Sequence, residues 1–195
     1  MKVVVAGEGA FGRKHLAALA NIDGIEVVSL AGGVEQTTEK VAGEYNIPHW
    51  SLDLSECLAQ PGVDAAILVT PTPIHAKQAM QVLDAGKHVF VEIPMADNIE
   101  DSRALAEKAK AAGLVAMVGH VRRFNPPHQW VHNKILSGDL SIQQMDVTTF
   151  FFRRINTNAL GEPRSWTDHI LWHHAAHTID LFMYQTGEEV SDVYA

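Results

Sequence analysis

Three glycines near the start of the chain limit its possible folds more than any other feature. Gly7, Gly9 and Gly12 have the spacing G-x-G-x-x-G. They directly follow the β-branched run 3–5 and precede a helical stretch that continues to about Asn21. In this context the first glycine permits a tight turn, the second lets the backbone approach a pyrophosphate, and the third lets the helix pack against the strand. The spacing predicts a turn that binds a dinucleotide, and the alternative is an ordinary strand–helix turn.

The alternation of apolar strands and helices continues to about Gly119. Apolar runs without polar alternation suit strands that are buried on both faces of a parallel sheet. We expect such strands over residues 2–6, 25–30, 64–69, 88–92 and 114–118, with a short one at 49–50. We expect helices over residues 36–45, 53–58, 73–85 and 98–112, with Asp53 and Asn98 or Asp97 as caps. This order predicts an α/β fold with a Rossmann-type doubly wound parallel sheet over residues 1–121.

The pattern changes after Gly119. Pro126 and Pro127 argue against a helix over 122–127, whereas 128–136 and 172–184 look helical. Residues 142–153 alternate in part and predict a strand of a second sheet, and 190–194 could begin another. Residues 122–195 are therefore expected to begin an α+β substrate domain with a truncated antiparallel sheet. We expect the chain to be a shortened form, or another chain to supply the missing layer.

Composition excludes some classes of function. A net charge of −8 with scattered basic residues disfavours binding to nucleic acid through phosphates. The single cysteine, Cys57, excludes an intrachain disulfide and fits a reducing compartment. No apolar run approaches the roughly 20 residues that span a bilayer, and no signal pattern precedes the first strand. We expect a soluble cytoplasmic protein that binds neither nucleic acid nor membrane.

The loops that follow the strands are the expected positions of ligand contacts in such a sheet. Residues 70–73 and 92–94 each follow a strand, so they should lie at the same edge, although Thr72 could instead cap the next helix. After the second strand, residues 31–34 provide neither a carboxylate for a ribose 2′-hydroxyl nor an arginine for a 2′-phosphate. Glu35 is a distant candidate for the hydroxyl. Glu8 should repel phosphate unless it points away.

Histidines on the predicted helix 172–184 are candidate proton acceptors. His173 and His177 share a face, and a histidine with an ordinary pKa near 6.5 can take a hydroxyl proton near neutral pH. Asp180 could orient His177 or be an ordinary helix carboxylate. The same spacing could bind zinc, but His174 replaces the glutamate of H-E-x-x-H. We expect a catalytic or substrate-binding role for at least one histidine, and no metal; a purely structural role is the alternative.

Arginines are concentrated in the later part of the chain. A guanidinium can bind a carboxylate through two parallel hydrogen bonds. Several such groups in one cleft favour a small-molecule substrate with several carboxylates, and the alternative is surface charge with salt bridges. The candidates are Arg122, Arg123, Arg153, Arg154 and Arg164.

These motifs resemble the Gfo/Idh/MocA family of oxidoreductases. The similar pieces are 7–12, 70–73 with His75, 85–89, Glu92-x-Pro94 and Arg123-Phe124-x-Pro126. The resemblance implies a Rossmann domain followed by a domain with a large antiparallel sheet, which often mediates homo-oligomer formation. It also implies a nicotinamide cofactor, bound by Gly7, Gly9, Ala10, Phe11, Gly12, Gly33, Thr70, Pro71, Thr72, His75, Glu92 and Ile93.

The chain departs from the usual family pattern at two positions. Ile93 replaces a lysine, and His173 replaces an aspartate that often lies four residues before the catalytic histidine, here His177. Residues 118–126, 143–147, 151–154, 164–169 and 172–178 are similar to a branch that oxidises a cyclic hemiacetal to a pyrone dicarboxylate in aromatic catabolism. This resemblance implies His173 or His177 as the base and the five arginines as carboxylate ligands.

The cofactor implied by that branch is NADP, with NAD possible. Proteins of this type tend to carry basic residues where this chain has Gly33 and Val34. The alternative function is that of a truncated, catalytically inactive nucleotide-binding protein of the same family.

Overall fold

The computed structural model describes residues 1–150, 157, 172 and 174–194. The packing of the chain divides it into two compact units. The described part of the first unit comprises Met1–Gly119, and the second unit begins at His120. No helix in the described part of the chain is long and apolar enough to cross a membrane.

A six-stranded parallel sheet forms the centre of the first unit. Its strands are β1 (Lys2–Ala6), β2 (Glu26–Ala31), β3 (Trp50–Ser51), β4 (Val63–Leu68), β5 (His88–Val91) and β6 (Ala116–Val118). Their order in the sheet is β3-β2-β1-β4-β5-β6, and every neighbouring pair is parallel. The order reverses between β1 and β4, and this reversal opens a crevice at the carboxyl ends of the strands. The predicted α/β Rossmann class is confirmed.

Helices connect the strands of the first unit. They are α1 (Ala10–Leu19), α2 (Glu35–Glu44), α3 (Leu54–Leu58), α4 (His75–Asp84) and α5 (Ile99–Ala112). The predicted caps are present: Asp53 accepts a hydrogen bond from the Ser55 N–H at 2.8 Å, and Asn98 accepts one from the Asp101 N–H at 2.7 Å. The expected helix 73–85 is shorter, because a 3₁₀ turn over Thr72–Ile74 precedes α4.

Two apolar cores lie on opposite faces of the sheet. Val4 packs into a cluster with residues of α3, α4 and α5, whereas Val3 and Val5 pack with residues of α1 and α2. Successive side chains of a strand point to opposite faces, so a strand covered on both sides needs a continuous apolar run. Cys57 lies buried in the first cluster, and this burial raises the pKa of its thiol.

The described elements of the second unit are mainly helical. A 3₁₀ turn over Val121–Phe124 is followed by α6 (Pro126–Leu136), and α7 (Ala175–Thr186) ends at Gly187, which has a φ of +69°. The prediction that the two prolines exclude a helix is wrong, because they occupy the first turn of α6. An N–H in the first turn has no acceptor within the helix, so a proline there removes no helical bond.

Two strands expected in the second unit are not formed over the described residues. Residues 142–150 and 190–194 are irregular, and 151–153 lie outside the described residues. Alternation shows which side chains can share a face, but a strand also needs a neighbour with which to exchange backbone hydrogen bonds.

Candidate functional site

Two glycines of the turn after β1 are required by packing. Gly7 has a φ of +114°, and a Cβ placed on it would lie 2.6 Å from the carbonyl oxygen of Val69. A Cβ on Gly12 would lie 1.7 Å from the carbonyl oxygen of Gly7. Any side chain at either position would therefore displace the backbone that brings β1, β4 and α1 together at the crevice.

The second glycine of the turn lies open. Gly9 is the residue immediately before α1, and nothing lies within 4 Å of a Cβ built on it. Ala10 and Phe11 form the first turn of α1 and are exposed, Phe11 by 58 %. The Arg13 N–H donates a hydrogen bond to the carbonyl oxygen of Gly9. The N–H groups of the first helical turn, in contrast, have no acceptor within a helix. The turn can therefore receive a pyrophosphate, which such N–H groups and the helix dipole favour.

The loops after β4 and β5 lie at the same edge of the sheet as the glycine turn. The Val69 N–H bonds the Ala6 carbonyl at 2.8 Å, and the Glu92 N–H bonds the Leu68 carbonyl at 2.9 Å. These bonds continue the strand register beyond the last residue of each strand. The expectation that the Thr70–Pro73 and Glu92–Pro94 segments share one edge is confirmed.

His75 joins these two loops from the interior. Its side chain is buried, with Nδ1 2.8 Å from the Pro94 carbonyl oxygen and Nε2 2.7 Å from the Thr70 carbonyl oxygen. Pro71 is exposed, whereas Thr72 is buried and provides no cap for α4. His75, one of the residues expected to bind the cofactor, is thus buried and hydrogen-bonded to both loops.

Glu92 is held against α1. Its side chain is 15 % exposed, and Oε1 accepts a hydrogen bond from His15 Nε2 at 2.8 Å. The half-buried Ile93 follows it, and the Ile93–Pro94 peptide is cis. The sequence pattern did not indicate His15, although its position three residues after Gly12 was a usable signal. The pair connects the helix that follows the glycine turn to the end of β5.

Glu8 points toward the start of α2. Its Oε1 accepts hydrogen bonds from the N–H groups of Gly33 at 2.9 Å and Val34 at 3.1 Å. The carboxylate is thus directed away from the first turn of α1, which was the condition for the turn to accept a phosphate.

A buried carboxylate pairs with an arginine in the described part of the second unit. Asp180 on α7 is 8 % exposed and accepts hydrogen bonds from Arg123 Nε at 2.9 Å and Arg123 Nη2 at 2.5 Å. These hydrogen bonds raise the pKa of the Arg123 guanidinium. His120 Nδ1 lies 3.7 Å from the same carboxylate. Arg123, expected as a substrate ligand, is therefore already paired with a protein carboxylate.

His177 lies on α7 next to His120. The two rings are 6.2 Å apart at 81°, an edge-to-face arrangement, and His177 is half-buried. Residue patterns did not single out His120, because its partners are distant in the chain.

Arg122 is half-buried, and its carbonyl oxygen accepts a hydrogen bond from His128 Nδ1 at 3.0 Å. The other candidates, His173, Arg153, Arg154 and Arg164, lie outside the described residues.

Metal binding has no geometric support in the part of the chain that the structure describes. There, no three histidine, cysteine, aspartate or glutamate side chains come together as a metal ion would require. The described residues thus form two separate candidate features, an open glycine turn in the first unit and an Arg–Asp–His cluster in the second.

Comparison with known proteins gives matches to both parts of the chain. Residues 1–120 match the family described as "Oxidoreductase family, NAD-binding Rossmann fold", and residues 126–195 match "Bacterial oxidoreductases, C-terminal". A solved structure from Thermotoga maritima superposes with a TM-score of 0.79 at 21 % identity, over 97 % of this chain and 56 % of that one. This likeness concerns the fold alone.

Two curated relatives are dehydrogenases. The 4-carboxy-2-hydroxymuconate-6-semialdehyde dehydrogenase of Sphingobium sp. is 59 % identical over 97 % of this chain. The scyllo-inositol 2-dehydrogenase (NAD(+)) of Bacillus subtilis is 29 % identical over 99 % of it. The chain spans 60 % of the first enzyme's length and 56 % of the second's. With the family match covering well over half of its residues, the chain belongs to the Gfo/Idh/MocA family of oxidoreductases.

Proposed function

We propose that the chain is the nucleotide-binding part, with some of the substrate-binding part, of an NAD(P)-dependent dehydrogenase. The observation that carries this proposal is the open turn at Gly9, located where the strand order of a doubly wound sheet reverses. We further propose residues 1–121 as the dinucleotide-binding domain and 122–195 as part of the substrate domain. The division of the chain between Gly119 and His120 supports this assignment.

The proposed substrate is the cyclic hemiacetal of 4-carboxy-2-hydroxymuconate-6-semialdehyde, and the proposed product is 2-pyrone-4,6-dicarboxylate. The 59 % identity to the Sphingobium enzyme supports this choice. The arginines at 122, 153, 154 and 164 are the proposed ligands of the substrate carboxylates. Arg123 is a positioning residue in this proposal, because its guanidinium holds Asp180.

Each residue group has a distinct task in the reaction. The backbone at Gly9, Ala10 and Phe11 binds the pyrophosphate of the dinucleotide, and the bound nicotinamide supplies the hydride acceptor. A ring nitrogen of His177 or His173 takes the proton of the hemiacetal hydroxyl. The pair formed by Arg123 and Asp180 fixes α7, which carries His177.

Cofactor titration followed by turnover tests the proposal. We expect the purified chain to enhance the fluorescence of NADH or NADPH, and then to reduce the oxidised cofactor when the semialdehyde is added. If neither NADH nor NADPH bound to the chain, the dehydrogenase class would be excluded. Binding without turnover would instead support the alternative, a nucleotide-binding protein that does not catalyse the reaction.

The histidine role has its own test. In an active preparation, His177→Ala or His173→Ala should lower kcat by at least about a hundredfold, the usual loss for a general base. His49→Ala, in the first unit, is the control for replacing a histidine and should keep kcat within about twofold. Turnover near the unsubstituted rate in both variants of the 172–184 segment would exclude these histidines as the base.

A further inference from the structure

We propose that Glu8 recognises the adenosine ribose of the dinucleotide and makes the site select NAD over NADP. This inference rests on the proposed function, because it assumes that the glycine turn binds a dinucleotide. The proposed specificity residue lies within the glycine turn itself rather than at the end of β2.

The end of β2 cannot supply the usual acidic side chain. In doubly wound sheets, a carboxylate near the end of the second strand accepts a hydrogen bond from the ribose 2′-hydroxyl. Here β2 ends at Ala31, and Gly32 follows it. A Cβ on Gly32 would lie 1.8 Å from Thr38 Oγ1, so the packing of α2 excludes any side chain there.

Glu8 brings a carboxylate to the same place from another part of the chain. Its Oε1 is held by the Gly33 and Val34 N–H groups and lies 3.5 Å from Thr38 Oγ1. The Thr38 hydroxyl makes its shorter bond to the Val34 carbonyl oxygen, at 2.8 Å. A carboxylate has two acceptor oxygens, so Oε2 can accept the ribose hydroxyl while Oε1 keeps its backbone bonds.

The same geometry disfavours a 2′-phosphate. A phosphate at this position would compete with Glu8 for the Gly33 and Val34 N–H groups, and like charges would then lie side by side. Between Ala31 and Glu39 the chain contains carboxylates but neither lysine nor arginine, and Lys40, the next residue, lies 4.0 Å from Glu44. The charge and the hydrogen bonds therefore favour the free hydroxyl.

Binding measured by calorimetry separates this role from general nucleotide binding. We expect NAD⁺ to bind the whole chain with a Kd at least about tenfold below that of NADP⁺, as one charged hydrogen bond can produce. Glu8→Gln removes the charge and should reduce this ratio at least about fivefold. Glu39→Gln, on the exposed side of α2, is the matched control and should leave the ratio within about twofold.

Several outcomes would overturn the inference. Equal binding of the two dinucleotides, or tighter binding of NADP⁺, would exclude Glu8 as a selector while leaving the proposed function intact. A ratio that changes in Glu35→Gln but not in Glu8→Gln would assign the role to Glu35. Failure of both dinucleotides to bind would remove this inference together with the proposed function. Glu8→Ala, which has no acceptor oxygen, provides a second substitution, with far-UV circular dichroism as the check on folding.

Discussion

Asp180 is a buried side chain of the second unit that lies close to both Arg123 and His120. It is almost completely buried, and a buried carboxylate is costly unless positive or hydrogen-bonding partners surround it. Arg123 supplies two such bonds, and His120 lies close enough to add charge when protonated. One member of the predicted arginine set therefore neutralises the protein's own carboxylate.

Replacing Arg123 should therefore lower stability more than replacing its neighbour. Arg123→Gln leaves Asp180 without its guanidinium, and we expect a loss of roughly 1–2 kcal/mol in the free energy of unfolding. This value is discounted because the arginine side chain is 44 % exposed. Arg122→Gln is the matched control and should change stability by less than about 0.5 kcal/mol.

Urea denaturation of these variants and of the double variant with Asp180→Asn measures the coupling between the two residues. Equal losses for Arg122→Gln and Arg123→Gln would show that the pair does not stabilise the unit. Additive losses in the double variant would lead to the same conclusion.

In the connection from β1 to α1, folding requires one glycine, whereas the proposed dinucleotide binding requires another. Gly12 is constrained by the carbonyl of Gly7, which its Cβ would overlap, whereas Gly9 has open space around it. Gly9 also has a φ of −72°, which any residue can adopt. The protein's own packing therefore does not require glycine at this position, and the proposed approach of a pyrophosphate accounts for it.

Two alanine substitutions distinguish these demands. Gly12→Ala should lower stability by about 1–3 kcal/mol, because the backbone must shift to admit the methyl group. Gly9→Ala should change stability by less than about 0.5 kcal/mol but weaken dinucleotide binding by at least about tenfold. Thermal denaturation and a fluorescence titration with NADH or NADPH measure the two effects. If Gly9→Ala bound both cofactors as tightly as the unsubstituted chain, the turn would not be the pyrophosphate site.

Most of the buried apolar side chains among the described residues belong to the first unit. Both core clusters consist of residues from the first unit, and Leu181 is the one buried apolar residue among the described residues of the second. Burial of a large apolar side chain contributes about 1.5–3 kcal/mol, so the strands of the first unit should be more stable against local opening than α6 and α7.

Hydrogen exchange should reveal this difference directly. We expect the amide hydrogens of β1 and β4 to exchange only through openings with the largest free energies. Those of α6 and α7 should exchange through openings with smaller free energies. Mass spectrometry of peptic fragments over 1–6, 63–68, 126–136 and 175–186 measures both sets in one experiment. Equal protection of the four segments would indicate that the chain opens as one cooperative unit.

Much of the first unit was predictable because its signals are local. Strands buried on both faces need continuous apolar runs, and helix caps such as Asp53 and Asn98 bond N–H groups two or three residues away. The glycine spacing likewise acts within six residues. The errors arose where a local rule was applied too strictly, as at Pro126 and Pro127, or where alternation at 142–150 was taken to imply a pairing partner.

The contacts that define the candidate features join residues that are far apart in the chain. Glu8 meets Gly33 from 25 positions away, Arg123 meets Asp180 from 57, and His15 meets Glu92 from 77. The sequence showed that carboxylates, arginines and histidines were present, together with a glycine spacing that predicts dinucleotide binding. Which of these groups pair with each other, and which face a ligand, depends on distances that arise only after packing brings separate strands and helices together, since hydrogen bonds and ion pairs act over a few ångströms.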